Sequence, residues 1–199
     1  MNIVVDVDLT VVRSDILWWK ELREGYELVW GTKAEQLRIG GGDRFVKHYD
    51  LSKYFPDIPE ELRYKFWSKP NLYQELPPIK RSVETLKHFS DQGARIIFAS
   101  YCKKGHFGSK YDWLKEHYPF MDGFIATKEK HFVKADVFID DRNAMLNRRY
   151  EEGDGCQMIK YNSPYTQDEK LIDSQGIYVA EDWDQVKIFI EGGELVDKI

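Results

Sequence analysis

Two short runs of β-forming residues, each ending on carboxylates, constrain this chain more than any other feature. Ile3-Val4-Val5 runs into Asp6-Val7-Asp8, and Val137-Phe138-Ile139 runs into Asp140-Asp141. Uninterrupted apolar residues describe a strand buried on both faces, which is the habit of parallel sheets covered by helices. Side chains alternate along a strand with a period of two, so this spacing predicts Asp6 and Asp8 on one side of the chain. Like charges at the end of a buried strand repel each other and resist leaving water, so a positive partner is expected beside them. A divalent cation would answer that need, because hard cations take carboxylate oxygens. Taken alone, the Asp6, Asp8, Thr10 pattern could equally cap a turn.

The pattern beyond the first run alternates. Residues 82–92 set Val83, Leu86 and Phe89 at helical spacing ahead of Gly93, a natural helix stop. Residues 94–100 read as a buried strand ending in a hydroxyl, 111–117 as a helix, and 124–127 and 137–141 as strands. Strands are also expected over 157–161 and 176–179, with a closing helix over 181–191 that turns Trp183, Val186 and Ile190 inward. This alternation defines an α/β fold with a parallel sheet sandwiched by helices, in which ligands bind outside the carboxyl ends of the strands. Residues 14–77 break the rhythm: they are rich in helix formers and hold four of the six tryptophans, Trp18, Trp19, Trp30 and Trp67. Gly40-Gly41-Gly42 interrupts them, and Pro56 and Pro59 punctuate the middle. They read as a small, mainly helical cap (14–77) inserted after the first strand of a core built from 1–13 and 78–199. The triple glycine reads as a joint between cap helices, because a phosphate cradle would need a strand–turn–helix context.

At 199 residues the chain can bury one core and a small subdomain. Its net charge of −5 argues against stable nucleic-acid binding, which usually needs a basic face, but leaves a small phosphorylated substrate fully compatible. Cys102 and Cys156 are too few for a disulfide framework, and no basic leader or membrane-length apolar run stands out. A cytoplasmic protein without membrane association is the expectation. The sequence leaves a homodimer open.

Asp6 with Asp8, Ser100, Lys130, and Asp140 with Asp141 each fall at or just after the end of an expected strand. In this order they resemble the four motifs of the haloacid dehalogenase superfamily of phosphotransferases. The run Phe66-Trp67-Ser68-Lys69-Pro70-Asn71-Leu72-Tyr73-Gln74-Glu75-Leu76-Pro77-Pro78-Ile79, followed by Ile97-Phe98-Ala99-Ser100, is similar to the 5′(3′)-deoxyribonucleotidases. So are Lys110-Tyr111-Asp112-Trp113-Leu114, the stretch from Lys130 to Arg142, and Trp183. The chain departs from that family at Leu9-Thr10, where a glycine usually follows the second aspartate. It departs again at Tyr101-Cys102, where serine-proline commonly follows the second-motif hydroxyl.

The resemblance implies a Rossmann-like, haloacid-dehalogenase-like fold and Mg²⁺-dependent hydrolysis of a small phosphomonoester, a deoxynucleoside monophosphate. In such an enzyme Asp6 is the nucleophile and Asp8 the general acid and base. That role needs Asp8 protonated at the outset, which crowding by other carboxylates would favour. Mg²⁺ is expected on the Asp6 carboxylate, the Asp8 carbonyl and one of the last pair, chiefly Asp141, with Asp140 orienting Lys130 or water. Ser100 and the Tyr101 N–H would hold a phosphate oxygen, and Lys130 would offset transition-state charge. Trp67 and Tyr73 offer aromatic faces to a nucleobase, with cap core as their alternative. His48 and His106 read as ordinary surface or loop residues, and Cys102 needs no catalytic role. Competing functions are a phosphatase for another small phosphoester such as a sugar phosphate, a polynucleotide 3′-phosphatase, and a non-catalytic nucleotide-binding module.

Overall fold

Six strands form one parallel sheet in the order β3-β2-β1-β4-β5-β6. They are β1 (Asn2–Val5), β2 (Arg95–Ser100), β3 (Gly123–Ala126), β4 (Val137–Asp140), β5 (Gln157–Tyr161) and β6 (Ile177–Ala180). This computed structural model describes residues 1–15, 17–18, 20–22, 24, 58–103, 105–153, 155–163, 170–172 and 176–192. The helices are α1 (Glu60–Arg63), α2 (Ser82–Asp91), α3 (His106–His117), α4 (Asn143–Glu152) and α5 (Trp183–Ile190), with 3-10 turns at Lys65–Ser68 and Lys130–Phe132.

Strands β2 to β6 lie where their apolar runs predict, and alternation along them builds two cores. Ile3 and Val5 of β1, Ile96 and Phe98 of β2, and Val137 and Ile139 of β4 face α2 and α5, meeting Leu86, Phe89, Trp183 and Val186. The intervening residues Val4, Ala99, Phe138 and Met158 join Met145 and Leu146 of α4 on the other face. Asp182 caps α5, its side chain accepting the Gln185 N–H at 2.9 Å, and Gly93 at φ +88° closes the turn after α2.

Two helices exceed the sequence reading for the same reason. α3 begins at His106 rather than 111 because its first turns bury His106 and Lys110, polar residues that hide the helical period. α4 was not expected at all. Only Met145 and Leu146 are apolar on its buried face, which Asn143 and Arg149 complete. Arg149 donates to the carbonyls of His131 and Val133, tying α4 to the turn that carries Lys130.

The two ends of the 14–77 segment lie side by side, and its described residues Trp18, Leu22, Phe66 and Tyr73 join the same core as Ile3, Phe98 and Trp183. Val12 forms an antiparallel bridge with Pro78, and the Ile79 N–H donates to the Val11 carbonyl at 2.7 Å. Between these ends the described residues of 14–24 are helical. Trp18 packs at 5.2 Å against Trp67 and 5.7 Å against Tyr64, and its indole N–H donates to the Arg63 carbonyl at 2.8 Å. The triple glycine, His48, Pro56, Trp19 and Trp30 lie outside the described residues. Among the described residues no helix is long and apolar enough to cross a membrane.

Sheet order places the site. β1 is central, the chain moves outward through β2 to β3, and then β4 returns to the opposite side of β1. Loops after β1 and β4 therefore diverge at the carboxyl end of the sheet and leave a crevice, the usual ligand position in such folds.

Candidate active site

The loop after β1 begins at Asp6, whose N–H donates to the Ile139 carbonyl at 2.9 Å and continues the ladder with β4. The strand itself stops at Val5, so it is not strand periodicity that brings Asp6 and Asp8 to one cavity. Instead the chain folds back: the N–H groups of Val11 and Val12 both donate to the Val7 carbonyl, and Leu9 takes φ +65°. That left-handed backbone comes freely to glycine and at some cost to leucine. Here the leucine side chain is buried in the core, which offsets the cost. Trp183 of α5 donates its indole N–H to the Thr10 carbonyl at 3.0 Å and braces the loop from beneath. Thr10 itself is fully buried and turned away from the pocket.

Two lysine-centred clusters result. In the first, Lys130 Nζ lies 2.9 Å from Asp6 Oδ1 and 2.5 Å from Asp140 Oδ2. Asp140 also accepts the Arg142 N–H on Oδ1 at 2.9 Å. Burial alone would depress Lys130, but Asp140 and Asp6 outweigh it and hold the ammonium above its ordinary range. Burial pushes Asp6 up to about 6, with Asp140 and Asp8 adding to the rise and Lys130 opposing it. Asp141 is raised well above the usual carboxylate range by burial and then by Asp140 and Asp6.

In the second cluster, Asp8 accepts from Lys110 Nζ at 2.7 Å, the Tyr73 hydroxyl at 2.6 Å and the Ser14 hydroxyl at 2.9 Å. Lost hydration would raise Asp8, but Lys110 wins, aided by Tyr73 and Ser14, and its pKa lies below the ordinary value. The expected protonated Asp8 is therefore not what this arrangement favours: a cation and two hydroxyl donors stabilise the carboxylate. The same ammonium reaches Ser100 Oγ at 2.9 Å and the Tyr101 carbonyl at 3.0 Å.

A cavity of about 650 Å³ opens over both clusters, and Asp6, Asp8, Ser100, Tyr101, Lys130 and Asp141 all line it. Trp67 lines it too, while Tyr73 does not. Tyr73 is fully buried with its hydroxyl spent on Asp8, so it has no face to offer a base and the stacking expectation for it fails. His106, expected at the surface or in a loop, is instead buried in the first turn of α3 and borders the cavity, its Nε2 3.0 Å from the Lys69 carbonyl and its ring against Trp67 and Tyr73.

Lys110 is one of three site residues to which sequence reasoning gave no role. It is 1% exposed and touches three groups of the site. A signal existed: Lys110 shares helical spacing with Trp113 and Leu114, and a lysine within a buried stripe needs a buried partner. Ser14 and Lys160 were missed as well. Lys160, on β5, donates its ammonium to the backbone carbonyl of Asp141.

Asp6, Asp140 and Asp141 each bring one carboxylate oxygen within 4.8 Å of the others. Asp141 Oδ2 is buried without a hydrogen-bond partner. An orphaned carboxylate oxygen among hard oxygen donors suits a divalent cation such as Mg²⁺.

The fold is haloacid-dehalogenase-like: a solved structure from Burkholderia xenovorans that carries that description superposes with a TM-score of 0.57 at 16% identity, covering 98% of each chain. The chain belongs to the family described as 5′ nucleotidase, deoxy (pyrimidine), cytosolic type C protein, whose model matches residues 2–193. A Staphylococcus aureus protein provisionally named 5′(3′)-deoxyribonucleotidase is 32% identical over 92 residues, covering 45% of this chain and 48% of that protein. The mouse mitochondrial 5′(3′)-deoxyribonucleotidase is 26% identical over 92 residues, covering 41% of this chain and 40% of the relative. This chain spans less than half the length of these curated relatives. Among solved structures, a provisionally named phosphatase from Clostridium difficile superposes with a TM-score of 0.67 at 13% identity, covering 95% of this chain and 97% of the other, and shows the shared fold.

Proposed function

We propose that the protein is a Mg²⁺-dependent 5′-nucleotidase that hydrolyses deoxynucleoside monophosphates to nucleoside and phosphate through an aspartyl-phosphate on Asp6. One observation carries this reading. Four pieces of sequence far apart in the chain, Asp6 with Asp8, Ser100, Lys130 and Asp141, meet around one cavity at the carboxyl ends of neighbouring strands. Family membership supports the substrate class.

Asp6 attacks phosphorus as the bond to the nucleoside oxygen breaks, that oxygen taking a proton from Asp8. Water, losing a proton to the Asp8 carboxylate, then attacks the aspartyl-phosphate, the bond to Asp6 breaks and inorganic phosphate leaves. Lys130 holds the Asp6 carboxylate in place and lies beside the charge that develops on the phosphoryl oxygens. The Asp6, Asp140 and Asp141 carboxylates, together with the Asp8 carbonyl, would hold Mg²⁺. The ion would supply positive charge that lets an anionic nucleophile approach an anionic ester. Ser100 Oγ and the Tyr101 N–H would hold a phosphate oxygen, and Trp67, which lines the cavity, would take the base. Asp8 must gain a proton before it can give one to the leaving oxygen. Lys110 bridges Asp8 and Ser100 Oγ, so a phosphate bound at Ser100 competes for Lys110 and weakens its hold on the Asp8 carboxylate.

The test is phosphate release from a panel of deoxynucleoside and ribonucleoside monophosphates, sugar phosphates and 3′-phosphorylated oligonucleotides, with Mg²⁺ and with EDTA. Mg²⁺-dependent release that favours the deoxynucleoside monophosphates supports the proposal. Preference for a sugar phosphate or an oligonucleotide end would reassign the substrate, and turnover of nothing in the panel would leave a binding module.

A further inference from the structure

We propose that Lys160 is a positioning residue for the divalent-cation site: through the peptide of Asp141 it aims that residue's carboxylate at Asp6 and Asp140. The proposal rests on the metal-dependent reading of the site given above. Lys160 is 3% exposed in β5, in which residues 158–161 are all buried. An ammonium is a costly occupant of such a strand, and an aliphatic residue would pack there without the loss of hydration. Its place in the register is therefore telling. Lys160 sits opposite Asp140 at the carboxyl end of the β4–β5 ladder, beside the acidic pair.

The contact it makes is specific. Lys160 donates to the backbone carbonyl of Asp141, the first residue beyond β4. The same turn is fixed from the other side by Asp140, whose carboxylate accepts the Arg142 N–H at 2.9 Å. The peptide that joins Asp141 to Arg142 is thus tied at both its polar groups, the carbonyl to Lys160 and the N–H to the Asp140 carboxylate. The Asp141 side chain meanwhile keeps a buried oxygen without a hydrogen-bond partner, among the carboxylates of Asp6 and Asp140. Lys130 pairs with one oxygen of Asp6 and one of Asp140, and the other oxygen of Asp140 accepts the Arg142 N–H, which leaves the second oxygen of Asp6 and the unpartnered oxygen of Asp141 for a cation. The backbone clamp holds the Asp141 oxygen in place while consuming neither of its carboxylate oxygens.

Charge alone makes the opposite forecast, and this renders the proposal testable. A lysine near a cation site repels the cation, so its removal should tighten binding if charge dominates. If positioning dominates, removal should loosen binding, since residues that orient metal ligands typically contribute about 10–100-fold in affinity. The experiment titrates Mn²⁺, an ion that also favours oxygen donors, into the substrate-free full chain by electron paramagnetic resonance, for the parent, Lys160→Met and Lys160→Arg. Thermal melts establish that each variant is folded. The expected result is Mn²⁺ affinity about tenfold or more weaker in Lys160→Met, with Lys160→Arg recovering much of the loss by restoring a charged donor. Should Lys160→Met not fold, the same titration on Lys160→Gln is read by the same criterion. Unchanged or tighter binding in the folded Met or Gln variant overturns the role of Lys160 while leaving the nucleotidase reading intact. A parent that binds no Mn²⁺ overturns both the inference and the metal dependence on which it stands.

Discussion

Replacing Asp6 by asparagine should abolish turnover and, at neutral pH, make the folded protein more stable. Asp6 is held at about 6 against an ordinary 3.8, chiefly by burial. Its ionised form is therefore strained by about 3 kcal/mol near pH 7.5, at about 1.36 kcal/mol per pH unit. The sign follows from linkage. A carboxyl whose pKa is raised on folding favours the folded state while it stays protonated and loses that advantage as pH rises through about 6. Near pH 5 the strain has fallen to about 1.5 kcal/mol, because Asp6 is then largely protonated in the folded state. Asparagine escapes the strain, and its amide oxygen can still accept from Lys130, whose pull on the carboxylate is already contained in the value of about 6. The gain is about 3 kcal/mol near pH 7.5 and about 1.5 kcal/mol near pH 5. In a chain of this size that is a rise in Tm of about 6–12 °C at the higher pH. Differential scanning calorimetry of parent and Asp6→Asn in EDTA at both pH values measures it. A Tm difference that is absent, negative or independent of pH would refute the reasoning.

Asp8→Asn should slow turnover by about 10²–10⁴-fold, the usual scale of acid–base assistance, and the defect in the first step should shrink with p-nitrophenyl phosphate, whose leaving group needs little protonation. Lys110→Met should cost about 10²–10³-fold in kcat, as loss of a site electrostatic donor does elsewhere; a normal rate would remove Lys110 from the machinery. Trp67→Ala should reduce kcat/KM by about tenfold to a hundredfold on a deoxynucleoside monophosphate, given about 1–3 kcal/mol for base stacking, and spare p-nitrophenyl phosphate. Tyr73→Phe acts through Asp8 rather than the base, so it should slow both substrates alike; a loss confined to the nucleotide would return Tyr73 to the base pocket.

The parts of this molecule that were legible in the sequence are those in which one residue type admits one environment. Apolar runs gave β2 to β6, and the carboxylates, serine and lysine at their ends converge on one cavity because parallel strands all point the same way. Where a residue leads two lives, reading failed. Leu9 sits in a left-handed turn that a glycine would have announced and a leucine does not. Lys110 and Arg149 are buried cations within helical stripes, and their polarity hides the period that betrays a helix. Tyr73 was credited with an aromatic face when its hydroxyl is the working end. The charge state of Asp8 depended on Lys110, a partner 102 residues away that local pattern cannot supply.

The central claim is covalent chemistry at Asp6, and it can be trapped. The full chain is mixed with a deoxynucleoside monophosphate and Mg²⁺, quenched in acid within the first turnover, reduced with borohydride and mapped by peptide mass spectrometry. An aspartyl-phosphate on Asp6 predicts homoserine at residue 6, absent when substrate is omitted and absent in Asp6→Asn. Phosphate release without any reduced residue at position 6, or with the modification at another carboxylate, would contradict the account.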